Sequence, residues 1–118
     1  MTLPQNVRLR RRGLGILVLV ACVLQTGVGM PAPAMAATHT VRIEGMAFVP
    51  ETLTVKPGDV VVWVNKDLFA HTATAPSRGF DSGEIASGKT WKYIAKDAGK
   101  TPYVCTLHPT MKGVLIVK

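Results

Sequence analysis

Beyond residue 37, short segments in which apolar and polar residues alternate, or in which β-branched residues cluster, are separated by turn residues. In residues 40–44, Val41 and Ile43 point one way and Thr40, Arg42 and Glu44 the other, the pattern of a half-buried strand. Residues 52–55 repeat it and end at Lys56-Pro57-Gly58-Asp59, a turn whose Pro and Gly preset its dihedrals. Residues 60–65 are rich in β-branched and aromatic side chains and read as a central strand. His71 heads a further short strand over 71–74. Residues 75–83 hold Pro76, Gly79 and Gly83 and read as loop with at most a short strand. After a Ser87-Gly88 turn, Trp91 and Tyr93 alternate within 89–95, and Lys96-Asp97-Ala98-Gly99 turns the chain again. Residues 102–105 and 113–117 are the closing strands. No stretch after residue 37 carries the 3.6-residue period of a helix. About seven short strands separated by turn signals indicate an all-β sandwich or barrel. Trp63, Trp91 and Tyr93 are expected in its core.

The first 36 residues follow a different pattern. Arg8, Arg10, Arg11 and Arg12 form a basic region, residues 14–24 an apolar run, and Ala34-Met35-Ala36 a small-x-small site. That order is a secretory signal peptide, with cleavage after Ala36. The run is shorter than the roughly 20 residues a membrane-spanning helix needs, so no stable span is expected. Leu19-Val20-Ala21-Cys22 also resembles a lipobox, which would anchor the chain by lipid at Cys22. Apolar residues continue past Cys22, which favours the Ala36 site. The Arg11-Arg12 pair raises twin-arginine export, but its flanking residues match that signal poorly. The division is therefore residues 1–36, a signal peptide, and residues 37–118, one folded domain.

Charge and cysteine count change meaning once that leader is set aside. The full chain carries +7. Removing the four leader arginines leaves ten basic against seven acidic residues, a formal charge of +3. Most of the basicity is thus a targeting signal, and nucleic-acid binding loses its support. Of the two cysteines, Cys22 leaves with the leader. Cys105 then has no disulfide partner in an oxidising compartment, which makes it either a liability or a ligand.

Three residues beyond Cys105 comes His108, and three beyond that Met111. A second imidazole, His71, lies at the head of its own strand. Cys-x-x-His alone is a weak signal: a buried Cys is usually a small hydrophobe, Met111 could be core and His71 a satisfied histidine. Jointly, at strand ends, in a chain with three histidines, the four residues point to a metal. Two imidazoles, a thiolate and a weak thioether form the donor set of a blue-copper electron-transfer site. Zinc is the rival, but zinc sites rarely use thioether. Ligands three residues apart suit successive corners of a tight turn, which Pro109 stiffens and which Gly113 lets the chain leave.

Over residues 41–118 the chain resembles the cupredoxins, the blue copper proteins of the plastocyanin/azurin group, and within them the amicyanin kind. The resemblance rests on Trp63-Val64-Asn65-Lys66-Asp67 shortly before His71, on Tyr103-Val104-Cys105-Thr106 running into His108-Pro109, and on Met111-Lys112-Gly113. It implies a Greek-key β-sandwich holding one type 1 copper, with His71, Cys105 and His108 as equatorial ligands and Met111 as the axial one. It implies service as a mobile one-electron carrier, not an enzyme. In the family the second histidine ligand reaches the surface inside an apolar patch; by position that is His108, with Leu107, Pro109, Phe69 and Met46 as candidates for the patch and Lys66 and Lys112 beside it. Thr72 stands where many members have an Asn that braces the ligand loop, and Thr72 with Thr106 is expected to substitute.

Taken together, the sequence reads as an exported, monomeric, periplasmic blue-copper protein, with a lipid-anchored form as the alternative location. Redox partner proteins are expected to dock near His108. The competing function is copper handling, as a chaperone or buffer. A site saturated by Cys, two His and Met argues against easy release. Copper oxidase or nitrite reductase chemistry needs a second copper with an open position, and beyond the two ligands only His39 remains to build one. His39 has a further reading: cleavage after Ala36 would leave Ala37-Thr38-His39 at the terminus, whose amine, amides and imidazole can form a square-planar Cu(II) or Ni(II) site.

Overall fold

The computed structural model describes residues 13, 15, 27–32, 35–77 and 79–118. The basic region, the apolar run with Cys22 apart from Gly15, and Ala34 of the expected leader lie outside the described residues. The chain divides into two units, Met1–Ala32 and Pro33–Lys118. The described residues of the first carry no regular element. No helix among the described residues is long and apolar enough to cross a membrane.

Among its described residues the second unit holds nine strands: β1 (Thr38–Glu44), β2 (Ala47–Val49), β3 (Thr52–Val55), β4 (Val60–Asn65), β5 (Thr74–Ala75), β6 (Phe80–Asp81), β7 (Thr90–Ile94), β8 (Gly99–Val104) and β9 (Lys112–Val117). They form two sheets, ordered β2-β1-β4-β7 and β3-β9-β8-β5-β6. Both are mixed: β1 runs parallel to β4 and β3 parallel to β9, while the other pairs are antiparallel. The parallel pairs arise because the chain crosses between sheets after β2, β3, β4, β6 and β7, a Greek-key sandwich as expected.

The period-two pattern decides which face each strand buries. Val41 and Ile43 on β1 and Val61, Trp63 and Asn65 on β4 point inward from one sheet, and Thr101 and Tyr103 on β8 with Leu115 and Val117 on β9 from the other. Trp63 sits at the centre, fully buried, its ring centroid 5.5 Å from Tyr103 and 5.4 Å from Trp91. Burial pushes the Tyr103 hydroxyl up to about 12, so the ring is a neutral part of the core. Trp91 and Tyr93 are partly buried against that core.

Three local differences from the sequence pattern have physical causes. His71 heads no strand; it makes a single bridge with Ile85, and β5 begins at Thr74. Strand β8 begins at Gly99, not at residue 102, because residues 99–101 pair with β9 (Gly99↔Val117, Thr101↔Leu115) whatever their own propensity. Strand β2, only three residues long, is too short to show a pattern and forms because it pairs with β1 after the Gly45-Met46 turn; its Phe48 is core at 3% exposure and meets the Tyr103 ring edge-on.

Candidate metal centre

At one end of the sandwich, three connections converge. Strand β8 carries the alternation Thr101, Tyr103, Cys105 inward, so Cys105 is fully buried one residue past the strand end. The chain then makes two consecutive turns. His108 N–H donates to the Cys105 carbonyl at 3.2 Å, and Met111 N–H to the His108 carbonyl at 2.9 Å. Cys105 N–H donates back to the Met111 carbonyl at 3.1 Å and closes the loop. The three-residue spacing thus corresponds to successive hydrogen-bonded corners, and it gathers Cys105, His108 and Met111 in one loop. Met111 is buried and His108 half-buried.

His71 arrives from the β4–β5 connection. Its backbone exchanges both hydrogen bonds with Ile85, at 3.2 and 2.7 Å. The loop before it is shaped by Asn65, buried at the end of β4. The Asn65 amide donates to the carbonyls of Phe69 and Ile85, and its oxygen accepts from Asp67 N–H.

Three of the four expected donors come together: ligand atoms of His71, Cys105 and His108 all lie within 4.8 Å of one another. The Cys105 Sγ is 3.7 Å from Nδ1 of His71 and 3.7 Å from Nδ1 of His108. Metal–sulfur and metal–nitrogen bonds of about 2.3 and 2.0 Å, opened by about 115°, would separate sulfur from nitrogen by about 3.6 Å. The donor spacing therefore fits one shared ion. Thiolate with two imidazoles suits copper or zinc; the thioether of Met111 in the same loop tips the set towards copper.

Asp67 decides which nitrogen of His71 is free. Its carboxylate Oδ2 lies 2.9 Å from His71 Nε2. A carboxylate only accepts, so Nε2 donates and Nδ1 keeps its lone pair towards Cys105. Asp67 also accepts from the N–H groups of Gly45 (2.7 Å) and Met46 (3.0 Å). Burial pushes this carboxyl up, but the Met46 and Gly45 amides and His71 together hold it below its usual value. Asp67 was visible in the sequence only as part of a motif; its role needs the β1–β2 turn to fold over it.

Thr72 and Thr106 brace the loop as expected. Thr106 N–H donates to Thr72 Oγ1 at 2.9 Å, and the two hydroxyls are 3.0 Å apart. Thr72 N–H donates to Cys105 Sγ at 3.3 Å. Gly113 has a different role from the conformational one read in the sequence. A Cβ there would lie 2.3 Å from Tyr103 Cζ, so the residue makes room for the ring directly across the ladder. His39 lies apart from the donor cluster, bonded through Nε2 to Asp59.

With fold and donor geometry in place, comparison with known proteins is consistent. Residues 14–117 match the family of the cupredoxin-like domain, and the chain belongs to that family. It is 29% identical to an amicyanin of Paracoccus versutus over 94 residues, 75% of this chain and 68% of that protein. It is 36% identical to a plastocyanin of Nostoc punctiforme over 104 residues, 80% of this chain and 72% of that protein. A Cu(I) form of an amicyanin variant superposes with a TM-score of 0.65 at 26% identity, covering 73% of this chain and 87% of that one. A copper-containing nitrite reductase of Thermus scotoductus gives 0.66 at 27% identity, but this chain spans only 25% of it.

Proposed function

We propose that His71, Cys105, His108 and Met111 hold one type 1 copper ion, and that the protein is an exported one-electron carrier of the periplasm. The observation that carries this reading is the pair of 3.7 Å separations from Cys105 Sγ to the two Nδ1 atoms. When bound, copper supplies the reversible Cu(II)/Cu(I) couple. The protein's part is to keep the donors in place. Asp67 fixes the His71 tautomer, the Thr72 amide donates to the sulfur, and the two turns of the ligand loop hold His108 and Met111. A site held from three connections of a rigid sandwich has little freedom to rearrange, which suits outer-sphere electron transfer.

The half-buried His108 is the proposed point of electron exit. Leu107 and Pro109 flank it and are exposed. Leu68 and Phe69, at 89% and 65% exposure, lie in the loop leading to His71. Met46 lines a cavity of about 210 Å³ together with Thr110 and Met111, which supports its place at the same end. Apolar groups exposed around a ligand suit brief docking of a redox partner. Export rests on the basic, apolar and small-x-small order of residues 1–36, with cleavage after Ala36.

The test is the absorption spectrum of the Cu(II)-loaded domain. An intense band at about 600 nm marks the copper–thiolate bond. Copper bound without that band, Cys105 being intact, would overturn the proposal.

A further inference from the structure

Away from the metal centre, Asp59 is held by more partners than a turn residue needs. It closes the Lys56-Pro57-Gly58 turn at the foot of β4, and its side chain is 7% exposed. Its Oδ2 accepts Lys56 N–H at 3.0 Å and faces His39 Nε2 at 2.9 Å. Its Oδ1 accepts Ala37 N–H at 2.9 Å. The Lys56 amide foremost, then His39 and the Ala37 amide, hold the carboxyl down at about 2.

Ala37 is where sheet order begins. Its carbonyl accepts Val60 N–H at 2.8 Å, and the parallel ladder starts at the next residue with Thr38↔Val60. Ala37 is exposed, as are Met35 and Ala36 before it. Ala36 is also the last residue of the small-x-small site.

We propose that Asp59 is a receptor for a free α-ammonium group at Ala37, created when the leader is removed after Ala36. The proposal rests on the export processing given above. In the cleavage, water adds its hydroxyl to the Ala36 carbonyl carbon and a proton to the Ala37 nitrogen; the released amine then takes a second proton from solvent. A bond in which only the carboxylate is charged becomes an ion pair in which donor and acceptor are both charged, which adds Coulomb attraction to the hydrogen bond. Processing therefore tightens the first residue of the sheet. It also engages the Ala37 amine and His39 together, so a square-planar copper site at Ala37-Thr38-His39 would have to break both bonds to Asp59 and the β1 ladder.

The titratable and charged groups around Asp59 are the Ala37 amine just before β1, His39 on β1 and, beside the adjoining cavity of about 400 Å³, Lys56 and Lys118. Pairing raises the amine above its unfolded value of about 7.7–8.0. Its contribution is complete below that value and is lost as pH rises through the raised one.

The experiment uses residues 37–118, which contain every described strand, with Ala37 either free or acetylated, each with Asp59 or Asp59→Asn. At pH 6 the free-amine chain should melt about 2–5 °C above the acetylated one, the size of one part-buried ion pair in a domain this small. The gap should close at high pH and be absent in Asp59→Asn. Equal melting of the two Asp59 chains at pH 6 would overturn the receptor, and that comparison stands even if Asp59→Asn does not fold. Sequencing the amino terminus of the exported full chain tests the processing separately. A start at Ala37 supports it; any other start removes the proposed occupant while leaving the melting result to stand on its own.

Discussion

Asp67→Asn is the substitution that most directly probes how the fold prepares the metal centre. The carboxylate accepts from three N–H groups, those of Gly45, Met46 and His71 Nε2. An amide keeps one accepting oxygen, and its NH2 can only donate. At least one of the three donors therefore loses its acceptor and meets a donor instead. A hydrogen bond to a charged group contributes about 1.5–3 kcal/mol, so the metal-free domain should lose about 2–3 kcal/mol. In a domain of this size that is a fall of roughly 10–20 °C in melting temperature. Part of the cost falls on Met46, a non-glycine residue at φ 59° whose strained conformation is held by its bond to Asp67. Removing an anion behind a ligating histidine also lowers metal affinity, by about 10–100-fold. Cu(II) loses more than Cu(I), so the midpoint potential should rise by about 59 mV for each factor of ten lost selectively. Calorimetry of the metal-free domain, a copper competition titration and voltammetry read the three effects. A metal-free Tm within 2 °C of the parent (a few tenths of a kcal/mol) together with unchanged copper affinity would refute the assigned role.

Three other outcomes follow from the same geometry. Gly113→Ala places a Cβ 2.3 Å from the Tyr103 ring; denaturant unfolding should show a loss of about 1–3 kcal/mol, partly recovered when Tyr103 is shortened to Leu. Thr72→Val removes the hydroxyl that accepts Thr106 N–H and should cost about 1–3 kcal/mol, while the copper–thiolate band persists because the bond to Cys105 Sγ comes from the Thr72 backbone. Acid should unfold the domain steeply. Asp59 is held at about 2 against an ordinary 3.8, and Asp67 is lowered too. A depressed carboxyl stabilises above its unfolded value and loses that contribution as pH falls through its folded one, so the melting temperature should drop between about pH 4 and pH 2, and a flat profile there would contradict both assignments.

Much of this protein is fixed by local pattern. Alternation in residues 40–44 and 52–55, and the β-branched, apolar runs of 60–65 and 113–117, mark real strands, because a strand turns successive side chains to opposite faces and suits branched ones, a rule that needs no partner to be known. The same rule continues past β8 and turns Cys105 inward. The spacing of Cys105, His108 and Met111 is also local, since each corner is closed by a hydrogen bond three residues long.

What the pattern left open depends on segments distant in sequence. The bounds of β8 were set by its neighbour β9, and the three-residue strand β2 by its pairing with β1. Asp67 acquired its role when the Gly45-Met46 turn and His71 closed on the same carboxylate, and Gly113 its role when Tyr103 came to lie directly across the ladder. By itself the sequence determined the strands, the donor loop and the class of ligand, because each depends on residues within a few positions of one another. Only the tertiary structure decided how His71 reaches Cys105, which nitrogen it offers, and what Asp59 and Asp67 hold, because those contacts join side chains that folding alone brings within 3–4 Å, the range in which hydrogen bonds act.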